Sequence, residues 1–177
     1  MTRYFMAIVV LLLGAVVWAA EPDLSVTPIA RDGQVFVTFE LSEGLSSEVQ
    51  DAIQSGLPTT FSYEVELRHG SAAWFDRTVA SLTITATVRF DNLTRRYQMS
   101  RTLDGRVEDA QPTEDQDAMR RWMTRFDRIP LSATASLETN GEYYVRIRAR
   151  TRPHSAWFLW PWDRVSALGH AKFTFIQ

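Results

Sequence analysis

Residues 79–97, VASLTITATVRFDNLTRRY, constrain this chain more than any other stretch. Ala80, Leu82, Ile84, Ala86, Val88 and Phe90 fall on one parity, and Ser81, Thr83, Thr85, Thr87 and Arg89 on the other. Strict period-2 alternation rich in Thr, Val and Ile predicts a long β-strand with one buried face. It runs into a polar corner, Asp91-Asn92-Leu93-Thr94-Arg95-Arg96, and a second strand starts at Tyr97. Such a strand cannot bury its apolar face alone, so the chain must supply further strands and a second layer.

The rest of the sequence supplies them. Residues 24–30 and 35–41 read as strands joined by Asp32-Gly33, a pair suited to a type I′ turn. A short helix is expected over residues 47–55, where Ser47 and Gln50 have capping-box spacing and Gly56 and Pro58 end the element. Phe61, Tyr63, Val65 and Leu67 alternate with Ser62, Glu64, Glu66 and Arg68, and residues 72–75 are a candidate partner strand. Residues 97–102 are a strand closed by Asp104-Gly105, and residues 109–112 read as a loop. A second helix is expected from a Thr113/Gln116 cap, its stripe formed by Met119, Trp122, Met123 and Phe126, and its end set by Ile129-Pro130. Arg120, Arg121, Arg125 and Arg128 crowd its other face and its C-terminal end. Residues 131–138 and 143–152 are predicted to form a hairpin about Asn140-Gly141, and residues 168–176 a last strand. Many short strands, three such turns and two helices predict a mainly β chain: an antiparallel β-sandwich, immunoglobulin-like in general character, with an open barrel as the alternative.

Residues 1–20 stand apart. Arg3 precedes an unbroken apolar run over residues 5–17, and Val17-Trp18-Ala19 offers a cleavage site. This segment reads as a signal peptide. The competing reading is an N-terminal membrane anchor over residues 4–20, close to the short limit of about 20 residues for a spanning helix. Residues 21–177 would then form one β-sandwich domain, exported to the periplasm or cell envelope. The chain has no cysteine, which excludes disulfides, thiol catalysis and Cys-type metal sites. Its formal net charge of -2 gives no sign of a nucleic-acid partner.

Along residues 56–97 the chain resembles a family of exported bacterial proteins classed as a domain of unknown function, DUF4390. The resemblance is carried by Gly56-Leu57-Pro58 with Phe61, then Trp74 with Asp76, Val79 and Ala80, then Phe90-Asp91-Asn92-Leu93-Thr94-Arg95-Arg96-Tyr97. The last block is similar to an aromatic-x-x-Leu-Thr-Arg-x-Tyr motif. The resemblance extends over nearly all of the exported part, from about Leu24 onward. It implies a secreted, mostly β domain with no assigned activity and no catalytic residue to carry over.

Two constellations are candidate contact surfaces. Arg146, Arg148, Arg150 and Arg152 recur at period 2 with Tyr144, so their guanidinium groups share a sheet face able to hold phosphate or carboxylate. The plainer account is cross-strand pairing, with Glu64 and Glu66 as partners. Trp157, Phe158, Trp160 and Trp162 lie in one Pro-bounded segment. Exposed, they would meet a partner or a bilayer; folded back, they would plug one end of the sandwich. His69, His154 and His170 lack metal-ligand spacing, no nucleophile or phosphate-loop motif is present, and no cofactor is implied. Asn92-Leu93-Thr94 reads as a strand-end turn. The expectation is a non-catalytic envelope module that binds a protein or an anionic component. The alternatives are a membrane-anchored accessory, or a hydrolase of an envelope polymer.

Overall fold

The computed structural model describes residues 23–42, 44–70, 76–153 and 164–176. Residues 1–22 and 71–75, and with them the expected signal segment and the 72–75 strand, lie outside the described residues. Among the described residues no helix is long and apolar enough to cross a membrane.

The alternating stretch is a 15-residue strand, β4 (Arg77–Asp91). Leu82, Ile84, Ala86 and Val88 are buried along it, and Thr83 faces solvent. It is flanked by β3 (Thr59–His69) and β5 (Arg96–Leu103), both antiparallel to it. With β6 (Arg106–Thr113), β8 (Glu142–Pro153) and β9 (Arg164–Thr174) they make a six-stranded sheet of order β6-β5-β4-β3-β8-β9. A three-stranded sheet, β1-β2-β7, is built from β1 (Leu24–Arg31), β2 (Gln34–Leu41) and β7 (Arg125–Ala133). The expected mainly β, antiparallel, two-sheet arrangement is the one observed. Two α-helices, α1 (Ser47–Gln54) and α2 (Gln116–Thr124), join strands.

Parity explains the core. Val37, Phe39 and Leu41 from β2, Tyr63, Val65 and Leu67 from β3, and Tyr143, Val145 and Ile147 from β8 all point between the sheets. Phe39 stacks on Phe126 at 4.6 Å between ring centroids, and Tyr63 meets both rings at 5.3 and 4.8 Å. The Tyr63 hydroxyl donates to the Met123 carbonyl at 2.8 Å, tying β3 to the end of α2. Burial raises the Tyr63 pKa well above that of a free phenol, with Arg101 opposing weakly, so the group stays protonated and donating. Tyr63→Phe leaves that carbonyl short of a donor and is expected to cost about 1–3 kcal/mol in urea unfolding. A loss below roughly 0.3 kcal/mol would show that the bond contributes nothing net.

One edge of the sandwich is nearly shut, because β9 passes close against β1 at Gly169. A Cβ built there would stand 2.6 Å from Val26 Cγ2 and 2.8 Å from the Leu24 carbonyl oxygen. At the opposite margin α2 fills the gap. Arg101, on the inner parity of β5, lies between the Trp122 and Phe126 rings at 4.5 and 4.2 Å. It donates to the Trp122 carbonyl, where α2 ends, and Trp122 Nε1 donates to Asp109 at 3.0 Å. Burial lowers the Arg101 pKa, and the nearby Asp109 charge opposes that shift most.

Several expectations are corrected. The second helix ends at Thr124 rather than at Ile129-Pro130, because Phe126 pairs across to Phe39 and the chain turns extended at Arg125. Phe126, Arg125 and Arg128 therefore belong to β7, where Pro130 also sits, on an edge strand that can spare its N–H. Asp115, not Thr113, caps α2, accepting from Asp117 N at 2.8 Å and Ala118 N at 3.2 Å. Ser46, not Ser47, caps α1. Residues 109–112 are strand, within β6. The Asn140-Gly141 hairpin does not exist as expected: β7 stops at Ala133, a 3-10 turn over Thr134–Ser136 follows, and β7 and β8 lie in different sheets. The Asp32-Gly33 and Asp104-Gly105 hairpins are as predicted, with positive φ at both residues of each pair.

Candidate functional site

The outer face of the six-stranded sheet is built by the residues of opposite parity to the core. Register sets them in rows across β9, β8, β3 and β4. Lys172, Tyr144, Arg68 and Thr78 form one row, and His170, Arg146, Glu66 and Ser81 the next. Leu168, Arg148, Glu64 and Thr83 follow, and then Arg150, Ser62 and Thr85. These rows carry the cations Arg68, Arg146, Arg148, Arg150 and Lys172 against Glu64 and Glu66, with Asp76 at the margin. Neighbours two apart on a strand stand about 6.7 Å apart, so Arg146, Arg148 and Arg150 form a regular ladder along β8.

Register places all four predicted arginines on the same parity of β8, and the expected acidic partners, Glu64 and Glu66, lie opposite Arg148 and Arg146. Arg146 holds Glu66 through two nitrogens, Nε at 3.0 Å and a terminal nitrogen at 2.5 Å. Arg150 donates to Glu64 Oε1 at 2.9 Å. Arg148 stands 3.9 Å from the same carboxylate, too far for a hydrogen bond. Its side chain keeps 35% exposure, against 24% for Arg146. Cross-strand pairing therefore accounts for Arg146 and Arg150 and leaves Arg148 with half a partner. Arg152 lies further along β8, opposite Thr60.

What the sequence reading missed is the contribution of β9 and of the hydroxyl rows. Lys172 and His170 are exposed beside Tyr144 and Arg146, and the His170 ring lies 4.8 Å from that of Tyr144. Burial raises the Tyr144 pKa, and its hydrogen bond to Asp76 adds to the shift. The threonines of β4 meet hydroxyls on both neighbours: Thr87 pairs with Thr60 at 2.9 Å, and Thr85 with Thr102. The parity of residues 168–174 carried the signal for Lys172 and His170, but only the pairing of β9 with β8 places them beside the arginines.

A second feature occupies the end of this sheet where β3 starts. The polar corner is a tight β4–β5 turn. Asp91 accepts from Leu93 N at 2.9 Å and Thr94 N at 3.4 Å, and these bonds, Leu93 first, hold its carboxyl below the usual carboxylate range. The rings of Phe90 and Tyr97 face each other at 4.8 Å across the strand pair, and Gln54 donates to the Tyr97 hydroxyl at 3.1 Å. Gly56, at φ 84°, leaves only 3.1 Å between an added Cβ and the Asn92 side chain. The Gly-Leu-Pro and Phe-to-Tyr motifs thus meet in space. Leu93 is 96% exposed at the tip, and Leu57, which follows Gly56, 38%. Pro153 pairs with Thr59 at this same end, so the segment bearing Trp157, Phe158, Trp160 and Trp162 leaves β8 here. Those four residues lie outside the described residues.

Among the described residues no group of three or more His, Asp or Glu side chains could hold a metal ion. His69 stacks on Tyr143 at 4.8 Å, and His170 belongs to the outer face.

No curated protein and no solved structure matches the chain. One family model does: DUF4390, described as a domain of unknown function, matches residues 24–155. That span runs from β1 to the end of β8, takes in the turn motif and the arginines of β8, and stops short of the Trp-bearing segment and β9. The chain belongs to the DUF4390 family.

Proposed function

We propose that this protein is a non-catalytic binding module of the cell envelope, exported through its N-terminal segment, whose outer sheet face docks an anionic partner. The observation that carries the reading is the excess of cations over carboxylates in the four rows, in a chain whose formal net charge is -2. Charge concentrated against the overall balance steers an oppositely charged partner to one face. Arg146, Arg148, Arg150 and Arg152 are the proposed contact residues on β8. A photo-crosslinking residue at Ser81, on this face, is expected to capture a partner in living cells. The same residue at Thr27, on the exposed face of the other sheet, should not. Capture from Thr27 alone, or from neither position, would overturn the reading.

A second reading is supported by the sheet end. The exposed Leu93 and Leu57, with the entry of the segment carrying Trp157, Phe158, Trp160 and Trp162, favour an apolar contact there. In this version the chain is a membrane-attached accessory, held by residues 4–20 and resting this end on a bilayer. Mass spectrometry of the mature N-terminus separates the two. A chain beginning at residue 20 or 21 has lost the anchor, and an intact Met1 retains it.

A further inference from the structure

Resting on the proposal that the outer face binds an anion, the geometry points to the class of partner: a linear acidic polysaccharide, its anion seated at Arg148 and its sugar hydroxyls on the Ser and Thr rows of β3 and β4. Arg148 is the member of the ladder with unspent capacity. Glu66 is taken up by Arg146 in a two-nitrogen contact, and the near oxygen of Glu64 by Arg150 at 2.9 Å. Arg148 keeps only a 3.9 Å approach to the other Glu64 oxygen. A guanidinium offers five N–H donors in a planar fork, so an incoming carboxylate or sulfate can bind at Arg148 without breaking either neighbouring pair.

The surroundings select the rest of the ligand. Arg148 shares its row with Glu64 and Thr83, and the next row brings Ser62 and Thr85. Thr83 is exposed. A protein partner would call for an apolar, often aromatic, centre. In its own row Arg148 has Leu168 at 61% exposure, the His170 and Tyr144 rings stand in the next two rows, and the rest is hydroxyls and charges. A hydroxyl-rich, cationic sheet face suits a hydrophilic polymer with anions at intervals. Polar contact with sugar hydroxyls supplies what charge alone cannot, a preference over other polyanions of equal charge.

The test uses three probes on the purified exported chain, residues 21–177: polygalacturonate, poly-glutamate of matched charge, and inorganic polyphosphate. Polygalacturonate is expected to bind at least tenfold more tightly than poly-glutamate at 150 mM salt. Arg148→Gln is expected to weaken it about tenfold, and Thr83→Val threefold or more, with urea unfolding unchanged in both variants. Equal binding of all three probes would mean that the face reads charge alone, and would overturn the inference. Tight binding that Arg148→Gln leaves intact while Arg68→Gln abolishes it would also overturn it, yet leave the face as the docking surface. Capture of a protein at Ser81 in cells, with no polygalacturonate binding, would replace the polymer with a protein partner. No binding and no capture would fail the underlying proposal itself.

Discussion

Phe126→Ala is expected to destabilise the fold by about 3–5 kcal/mol, enough to unfold a domain of ordinary stability or leave it marginal. The ring is fully buried, stacked on Phe39 at 4.6 Å and edge-on to Tyr63 at 4.8 Å. Arg101 rests on its remaining face at 4.2 Å. Truncation opens a cavity where the two sheets and α2 converge, and it strips a half-buried cation of one of its two aromatic neighbours. Phe126→Leu keeps most of the volume and should recover a large part of the loss. Urea unfolding followed by circular dichroism checks both variants. A cost under 1 kcal/mol for the alanine variant would mean that the packing of Phe39 and Phe126 against Tyr63 of the other sheet is not the joint between the layers.

Gly169→Val is the second large effect. The position has no room for a side chain, since even a Cβ would meet the Leu24 carbonyl oxygen at 2.8 Å and Val26 Cγ2 at 2.6 Å. A side-chain methyl can turn away, but a backbone carbonyl within β1 moves only with the strand. Overpacking of this kind costs about 1–3 kcal/mol, and the branched side chain should reach or exceed the upper end. Gly169→Ala should fall lower in the same range. Amide hydrogen exchange adds a local readout: β1 should lose protection before β3 and β4 do, because the clash lies at the β1–β9 seam. Uniform loss across both sheets, or none, would contradict a seam held by close packing at Gly169.

What could be read from the sequence followed from alternation. The strands β3, β4 and β8 were legible because one face of each is buried along much of its length, and the pairing of Arg146 and Arg150 with Glu66 and Glu64 followed from that parity. The errors fall where a tertiary contact overrode a local pattern. Phe126 extends the helical spacing of Met119, Trp122 and Met123, yet pairing with Phe39 draws it into β7. Asn140-Gly141 has the composition of a hairpin turn and φ 61° at Asn140, but it joins elements of different sheets. Residues 109–112 are polar because β6 is an exposed edge, where composition no longer separates strand from loop. Arg101 gave no signal at all, since one arginine on the apolar parity of a strand says nothing of the aromatic rings and carbonyl that receive it.

The same logic bears on the candidate site. An arginine ladder read alone overstates the free charge, because two of its members are spent on Glu64 and Glu66. The neighbouring strand β9 restores it through Lys172. A basic face and an apolar sheet end respond oppositely to salt: screening weakens contacts of exposed charges and leaves apolar contacts intact. The decisive measurement is therefore the retention of the purified chain over residues 21–177 on isolated cell envelopes as salt rises from 50 to 500 mM. Docking through the outer face predicts retention at low salt and release well before the upper limit, with Arg148→Gln released earlier. Retention unchanged across the range, and unaffected by Arg148→Gln, would contradict a charged docking face and assign the contact to the end that bears Leu93.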